Sequence, residues 1–173
     1  ITVFATANGD QNILNDSLRS PVEYGLSQSP PLFEDFDSHQ SGSTQFPNLT
    51  NALSSQILWQ TNTGPTSTET TGPIDDNFGG GSYLFLESSG VESGDQGVIC
   101  FDCVDLSAST PYNLVFSYHM FGSSVGSLSV EISDGISTTT EVLLNGQQQH
   151  SSSDDWTRYT VNLSPYIGSV VQI

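Results

Sequence analysis

Basic residues are almost absent from this chain. Two of its 173 residues are Lys or Arg (Arg19 and Arg158), against 19 Asp or Glu, which gives a formal net charge of −17. Phosphate backbones and anionic lipid surfaces are bound by clustered Lys and Arg, so the sequence excludes nucleic acid and anionic membrane surfaces as partners. A surface this acidic suits a salty or calcium-rich medium in which cations screen self-repulsion. We therefore expect an extracellular or cell-surface location.

The chain also lacks the patterns of membrane spans and of common catalytic sites. No window of 18 apolar residues occurs, so the sequence predicts no membrane insertion. No G-x-S-x-G nucleophile motif is present. Asp75 and Asp76 are adjacent in sequence and point apart in an extended chain, whereas a glycosidase needs two carboxylates facing each other across a sugar. The sequence predicts that the protein is not an enzyme.

Cysteine is scarce. Cys100 and Cys103 form a single C-x-x-C within "VICFDCVDL". In a strand the two sulfur atoms would point to opposite faces about 10 Å apart, so a local disulfide would need a turn there. A zinc site would need two more soft ligands, which the scattered His39, His119 and His150 do not supply as a pair. We expect two free thiols on a buried or half-buried strand.

Short alternating runs fill most of the chain, separated by Gly, Ser, Asn and Pro, and no 3.6-residue period persists. The sequence predicts strands at residues 127–132, 112–120, 158–163 and 169–173, the first two paired through a hairpin at 121–126. The residues expected to face the core are Leu114, Phe116, Tyr118, Met120, Leu128, Val130, Ile132, Tyr159, Val161, Leu163, Val171 and Ile173. Alternation of this kind predicts an all-β protein, a sandwich of antiparallel sheets.

Several ordered motifs resemble the MAM domain. They are "FEDFDS", then T-G-P-x-x-D followed by G-x-Y-x-F-x-E-x-S in "TGPIDDNFGGGSYLFLESS", then Y-H-M-x-G-x-x-x-G-x-L-x-V, and finally "DDWTRYTVNLSPYIGSVVQI". The resemblance covers residues 32–173 and implies a jelly-roll β-sandwich of the MAM or concanavalin-like kind. It also implies a last strand that this sequence does not contain.

The first 26 residues are different in character. "ITVFATANGDQNILNDSLRSPVEYG" resembles the closing strands of immunoglobulin-like repeats in modular surface proteins of Bacteroidetes-type bacteria. We expect residues 1–26 to end a preceding immunoglobulin-like domain, 27–31 to form a linker, and 32–173 to form the MAM-like domain. The resemblance implies a parent exoprotein exported by the type IX pathway.

The MAM resemblance also implies a calcium site. Asp37 in "DFD" matches an acidic residue on the family's first strand, and Asp76 matches the Asp of T-G-P-x-x-D. Glu34, Asp35, Asp75 and Asn77 are neighbours that can add oxygen atoms, the ligand type that calcium prefers. We expect a structural calcium held by Asp37, Asp76, Glu34 and Asp75. The alternative is that these acids are simply solvated in a loop.

Two functions follow from these features. The first is a non-catalytic extracellular module that mediates adhesion or protein contact within a secreted or cell-surface multidomain protein. The second is a carbohydrate-binding module attached to a secreted hydrolase. Both use jelly rolls, so the fold alone does not separate a protein ligand from a glycan ligand.

Overall fold

The computed structural model describes residues 27–173 and the two short strands Thr2–Phe4 and Ser17–Arg19. The strands, in chain order, are β1 (Thr2–Phe4), β2 (Ser17–Arg19), β3 (Leu49–Asn51), β4 (Trp59–Thr63), β5 (Ser82–Leu86), β6 (Ile99–Phe101), β7 (Val104–Asp105), β8 (Asn113–Tyr118), β9 (Ser127–Ser133), β10 (Thr138–Asn145), β11 (Thr157–Asn162) and β12 (Val170–Val171). One 3-10 turn covers Ser164–Tyr166. Within the described ranges there is no α-helix, and no helix long and apolar enough to cross a membrane.

Among the described residues the six strand ladders are antiparallel, and three of them join strands that are distant in sequence. β3 pairs with β6, β7 with β12, and β8 with β11, while β4–β5 and β9–β10 join neighbours. Ser133 at the end of β9 exchanges two backbone hydrogen bonds of 2.8 Å with Gln172, which extends the β9–β10 pair towards β12 and β7. This antiparallel, long-range pairing is the predicted jelly-roll β-sandwich.

The predicted pairing of residues 112–120 with 127–132 is wrong. β8 pairs with β11, and β9 pairs with β10. The reason lies in the turn that follows β9, where the Asp134 carboxylate accepts the N–H groups of Ile136 (2.9 Å) and Ser137 (2.8 Å) and Gly135 takes a φ of +83°. An Asp-Gly pair is a stronger hairpin signal than the longer glycine-containing segment at 121–126. β9 therefore folds back onto β10.

The core lies between the strand pairs. Its buried members are Val104, Leu106, Ile132, Val142, Val161, Leu163 and Val171. Around them pack the half-buried side chains Tyr112, Leu114, Phe116, Val130, Leu144, Tyr159, Tyr166 and Ile173. The alternation in β8, β9 and β11 therefore predicted most of the core face correctly, although Tyr118 and Leu128 are half-buried outside this cluster. Met120 is buried as predicted, outside this cluster.

The segment predicted as a linker contacts the sandwich. Gln28 forms a parallel bridge to β7, donating its N–H to the Cys103 carbonyl and accepting the Asp105 N–H, both at 2.8 Å. β1 and β2 pair antiparallel, with Thr2 opposite Arg19. The rest of the predicted immunoglobulin-like segment 1–26 lies outside the described residues.

Both cysteines are free, as expected, and both are half-buried. Cys100 lies in β6 opposite Thr50, whereas Cys103 lies between β6 and β7 rather than in a strand. Burial raises the pKa of the Cys100 thiol, which keeps it protonated near neutral pH.

Candidate functional site

Asp75 and Asp76 hold the loop that precedes β5 in its shape. The Asp75 carboxylate accepts the N–H groups of Asp76 (3.0 Å) and Gly80 (2.9 Å). The Asp76 carboxylate accepts those of Phe78 (3.0 Å) and Gly81 (2.9 Å). Burial on its own would raise the pKa of Asp76, but these backbone donors outweigh it, and the pKa is lowered. The two acids therefore cap a glycine-rich turn, and the lowered pKa keeps Asp76 ionised at neutral pH.

Asp37 reaches the same turn from the first part of the domain. Its Oδ1 accepts the N–H of Ser82 at 2.7 Å, so Asp37 and Asp76 bind the amides of two consecutive residues. A Cβ added at Gly81 would overlap the Asp37 carboxylate, which explains a glycine at this position. The structure thus places Asp76 on the N–H of residue 81 and Asp37 on the N–H of residue 82.

Of the other predicted calcium ligands, Asp75 caps the same turn as Asp76, whereas Glu34 and Asp35 bond within their own segment. Glu34 accepts the Phe36 N–H at 2.8 Å and lies 3.7 Å from His39. Asp35 accepts the Asp37 N–H at 3.1 Å, which forms a tight turn. Among residues 27–173, no three Asp, Glu, His or Cys side chains converge as a metal-binding group.

A second loop, residues 150–156, packs against the first. It is held by the Asp154 carboxylate, which accepts the N–H groups of His150 (2.7 Å) and Ser151 (3.1 Å). Two bonds then join the loops: Ile74 N–H to the Ser152 carbonyl at 3.0 Å, and the Trp156 indole N–H to the Asp75 carbonyl at 3.1 Å. No local sequence signal predicts this contact, although "DDW" belongs to one of the motifs that resemble the MAM domain.

The two loops enclose a surface cleft of about 450 Å³. Four carboxylates line it, and none of the described lining residues is Lys, Arg or His. The lining acids are Asp75, Asp76, Asp154 and Asp155. Ile74 (55% exposed) lines the cleft, and Phe78 (85% exposed) extends from the same loop. The cleft is thus strongly acidic, with apolar side chains beside the charges.

Trp156 forms one wall of this cleft and is packed by two rings. Tyr83 meets it edge-on at 5.5 Å between ring centroids, and His119 lies at 5.7 Å with the planes tilted by 56°. Tyr83 is itself fixed, since its hydroxyl donates to the Gly64 carbonyl at 2.8 Å and accepts from Asn62 at 2.6 Å. Burial raises the pKa of Tyr83, so it stays neutral. The indole is therefore held at a fixed angle.

Gln149 fastens the second loop to the end of β8. The side chain is 4% exposed. Its carbonyl accepts the Met120 N–H at 2.6 Å, and its amide donates to the Tyr118 carbonyl (3.3 Å) and the Thr157 hydroxyl (3.1 Å). A buried glutamine with three partners fixes where the loop begins.

Comparison with known proteins identifies the family. Residues 35–173 match the family model described as "MAM domain, meprin/A5/mu". No solved structure matches the chain.

Proposed function

Because the chain belongs to the MAM domain family, we propose that it is a non-catalytic module that makes adhesive protein contacts within a longer secreted or cell-surface protein. MAM domains are in general extracellular modules of the adhesion type. The bacterial, type IX-exported parent expected from the sequence is part of the same proposal. The observation that carries the proposal is the acidic cleft between residues 73–77 and 152–156.

The chemistry of the cleft favours a protein partner with an exposed basic side chain. A cation about 4 Å from one carboxylate gains about 4 kcal/mol at an effective dielectric of about 20, before the cost of desolvation. Ile74 and Phe78 offer apolar surface to the stem of the same side chain or to a neighbouring residue. The chain's own net charge of −17 adds long-range attraction for a basic partner.

An array of short peptides that differ only in Lys and Arg content tests this proposal. We expect basic peptides to bind the chain and the binding to weaken as salt rises, because salt screens exposed charges. Asp155→Lys, in the cleft, should weaken binding at least about tenfold, or 1.4 kcal/mol. Glu131→Lys on β9 makes the same change in net charge outside the cleft lining and serves as the control. Equal losses in both variants, or no preference for basic peptides, would refute the cleft as the contact surface.

A glycan ligand is the second candidate, and Trp156 in a concave cleft is the observation that favours it. A carbohydrate would stack on the indole and accept or donate hydrogen bonds at Asp75 and Asp155. A glycan array run beside the peptide array separates the two. Binding to glycans that Trp156→Ala removes, with no binding to peptides, would assign the module to carbohydrate recognition.

We also propose that calcium binds at the Asp37–Asp76 pair. The supporting observation is that both carboxylates converge on the amides of residues 81 and 82. Two carboxylates supply fewer than the six to eight oxygens calcium takes, so backbone carbonyls and water would have to complete the shell. Thermal unfolding with and without millimolar calcium tests this proposal. A rise in Tm with calcium that Asp76→Ala abolishes would support calcium binding at this pair, and an unchanged Tm would refute it.

A further inference from the structure

His119 is a half-buried histidine whose two ring nitrogens are inaccessible to solvent and unsatisfied. It follows β8 directly and lies beside Trp156. Both ring nitrogens are buried, and neither has a hydrogen-bond partner among the described residues. Buried polar side-chain atoms nearly always have partners, so this residue calls for an explanation.

The surroundings of the ring favour its neutral form. Burial lowers the pKa of His119, and the backbone of Ser151 and Asp154 together with the Asp154 carboxylate oppose that shift only in part. Asp154, on the 150–156 loop, is the charged group that acts on the ring. On the other sides lie Trp156 and, behind it, Tyr83, which is neutral. A proton added to the imidazole would create a charge and a second N–H donor where neither ring nitrogen now makes a hydrogen bond, with the backbone of Ser151 and Asp154 and the Asp154 carboxylate as the acceptors facing it.

The nearest charge able to pair with that imidazolium already has a structural role. Oδ2 of Asp154 accepts the N–H groups of His150 and Ser151, and these bonds shape the 150–156 loop. Pairing His119 with Asp154 would compete with those bonds. Hydrating the imidazolium instead would require it to leave its contact with Trp156. Either response moves the loop that forms one wall of the cleft.

We propose that His119 is an acid-sensitive latch on the cleft between residues 73–77 and 152–156. At neutral pH the uncharged ring packs against Trp156, and the 150–156 loop forms one wall of the cleft. When the imidazole takes up a proton, the packing breaks and the 150–156 loop changes position. The biological meaning of this latch, release of a basic partner in acid, rests on the function proposed above, while the latch itself is a property of the fold.

The fluorescence of Trp156 reports the latch directly. In a Trp59→Phe background, Trp156 is the remaining tryptophan. We expect its emission and the urea midpoint of unfolding to change between pH 7.5 and 4.5, with the transition centred below the ordinary histidine value of 6.5. Because the folded-state pKa is lowered, stability is full above 6.5 and falls as the pH drops below it.

His119→Gln should abolish this transition, whereas His150→Gln, which alters an exposed histidine on the same loop, should leave it intact. Identical pH curves for the parent and His119→Gln would overturn the proposal. If His119→Gln does not fold, an NMR titration of the histidine C2 protons in the parent decides. A His119 signal titrating at or above 6.5, or with no accompanying change in the Trp156 signals, would also overturn it.

Binding of the basic peptides at pH 7.5 and pH 5.0 separates this proposal from the function of the cleft. A fluorescence transition without peptide binding at either pH supports the latch and refutes the proposed contact. Equal peptide binding at both pH values with no transition refutes the latch and leaves the contact standing. A transition with binding lost at pH 5.0, restored by His119→Gln, supports both.

Discussion

Replacing Gln149 with alanine should destabilise the protein strongly, because this side chain fixes the start of the loop that forms one wall of the cleft. The side chain is 4% exposed and satisfies the Met120 N–H, the Tyr118 carbonyl and the Thr157 hydroxyl. Alanine leaves the two backbone groups without this partner. A buried polar group that loses its partner costs about 1–3 kcal/mol. We expect a loss of about 2–4 kcal/mol in the free energy of unfolding.

Equilibrium unfolding in urea measures this loss, followed by circular dichroism and by tryptophan fluorescence. The slope against urea should stay constant, so the whole effect would be a lower midpoint. A loss of about 3 kcal/mol should lower Tm by about 6–12 °C in a domain of this size. Trp156 should respond together with the circular dichroism signal if the loop unfolds with the sandwich.

The neighbouring Gln148 is the matched control. It is exposed, and its amide donates to the carbonyls of Asn145 (3.0 Å) and Gly146 (3.3 Å), where water can replace it. Gln148→Ala should therefore cost less than about 0.5 kcal/mol. Equal effects of the two substitutions, or a Gln149→Ala loss below about 1 kcal/mol, would show that this buried network does not hold the loop.

Three further predictions concern other parts of the chain. Gly81→Ala should cost about 2 kcal/mol in urea unfolding because its Cβ displaces the Asp37 carboxylate from a backbone donor, whereas Gly126→Ala, with open space around it, should be nearly neutral. Because the pKa of Asp76 lies below its ordinary 3.8, its contribution to stability is present above that pH and is lost as the pH falls through the folded-state value. Asp76→Asn should thus flatten the acid limb of a stability–pH curve, and an unchanged limb would contradict the assignment. Cys100, in a variant without the other thiol, should react with iodoacetamide at pH 8 more slowly in the folded chain than in urea; equal rates would contradict its raised pKa.

The sequence was sufficient to locate β8, β9, β11 and β12, but it did not predict β3, β4 or β10. Alternation in β9 and β11 placed Ile132 and Val161 in the core, since one face of each strand must be apolar when only that face is buried. It was harder to predict which strands pair, because the alternation of apolar residues within one strand does not indicate which strand lies beside it. The hairpin error arose from weighing loop length at 121–126 above the Asp134-Gly135 turn signal.

The cleft is even harder to predict from the sequence than the strand pairing. The sequence places Asp75 in a loop and Trp156 in a motif that resembles the MAM domain. Their meeting depends on a bond from an indole N–H to a backbone carbonyl, and backbone carbonyls occur at every residue. The placement of Asp37 near Asp76 could be anticipated only through the family resemblance. A buried Gln149 or an unsatisfied His119 has no local signature, because burial is decided by strands far away in the chain.

The bond between Trp156 and Asp75 also has a consequence for how the protein folds. Its two residues are 81 positions apart, and the loops that carry them follow β4 and β10, which belong to different ladders. Closing so long a stretch of chain is entropically costly and repaid only once both ladders have formed, so the cleft is assembled late. During refolding, the fluorescence of Trp156 should change only after the strands have formed. A molecule able to engage a partner through this cleft has therefore already completed its fold.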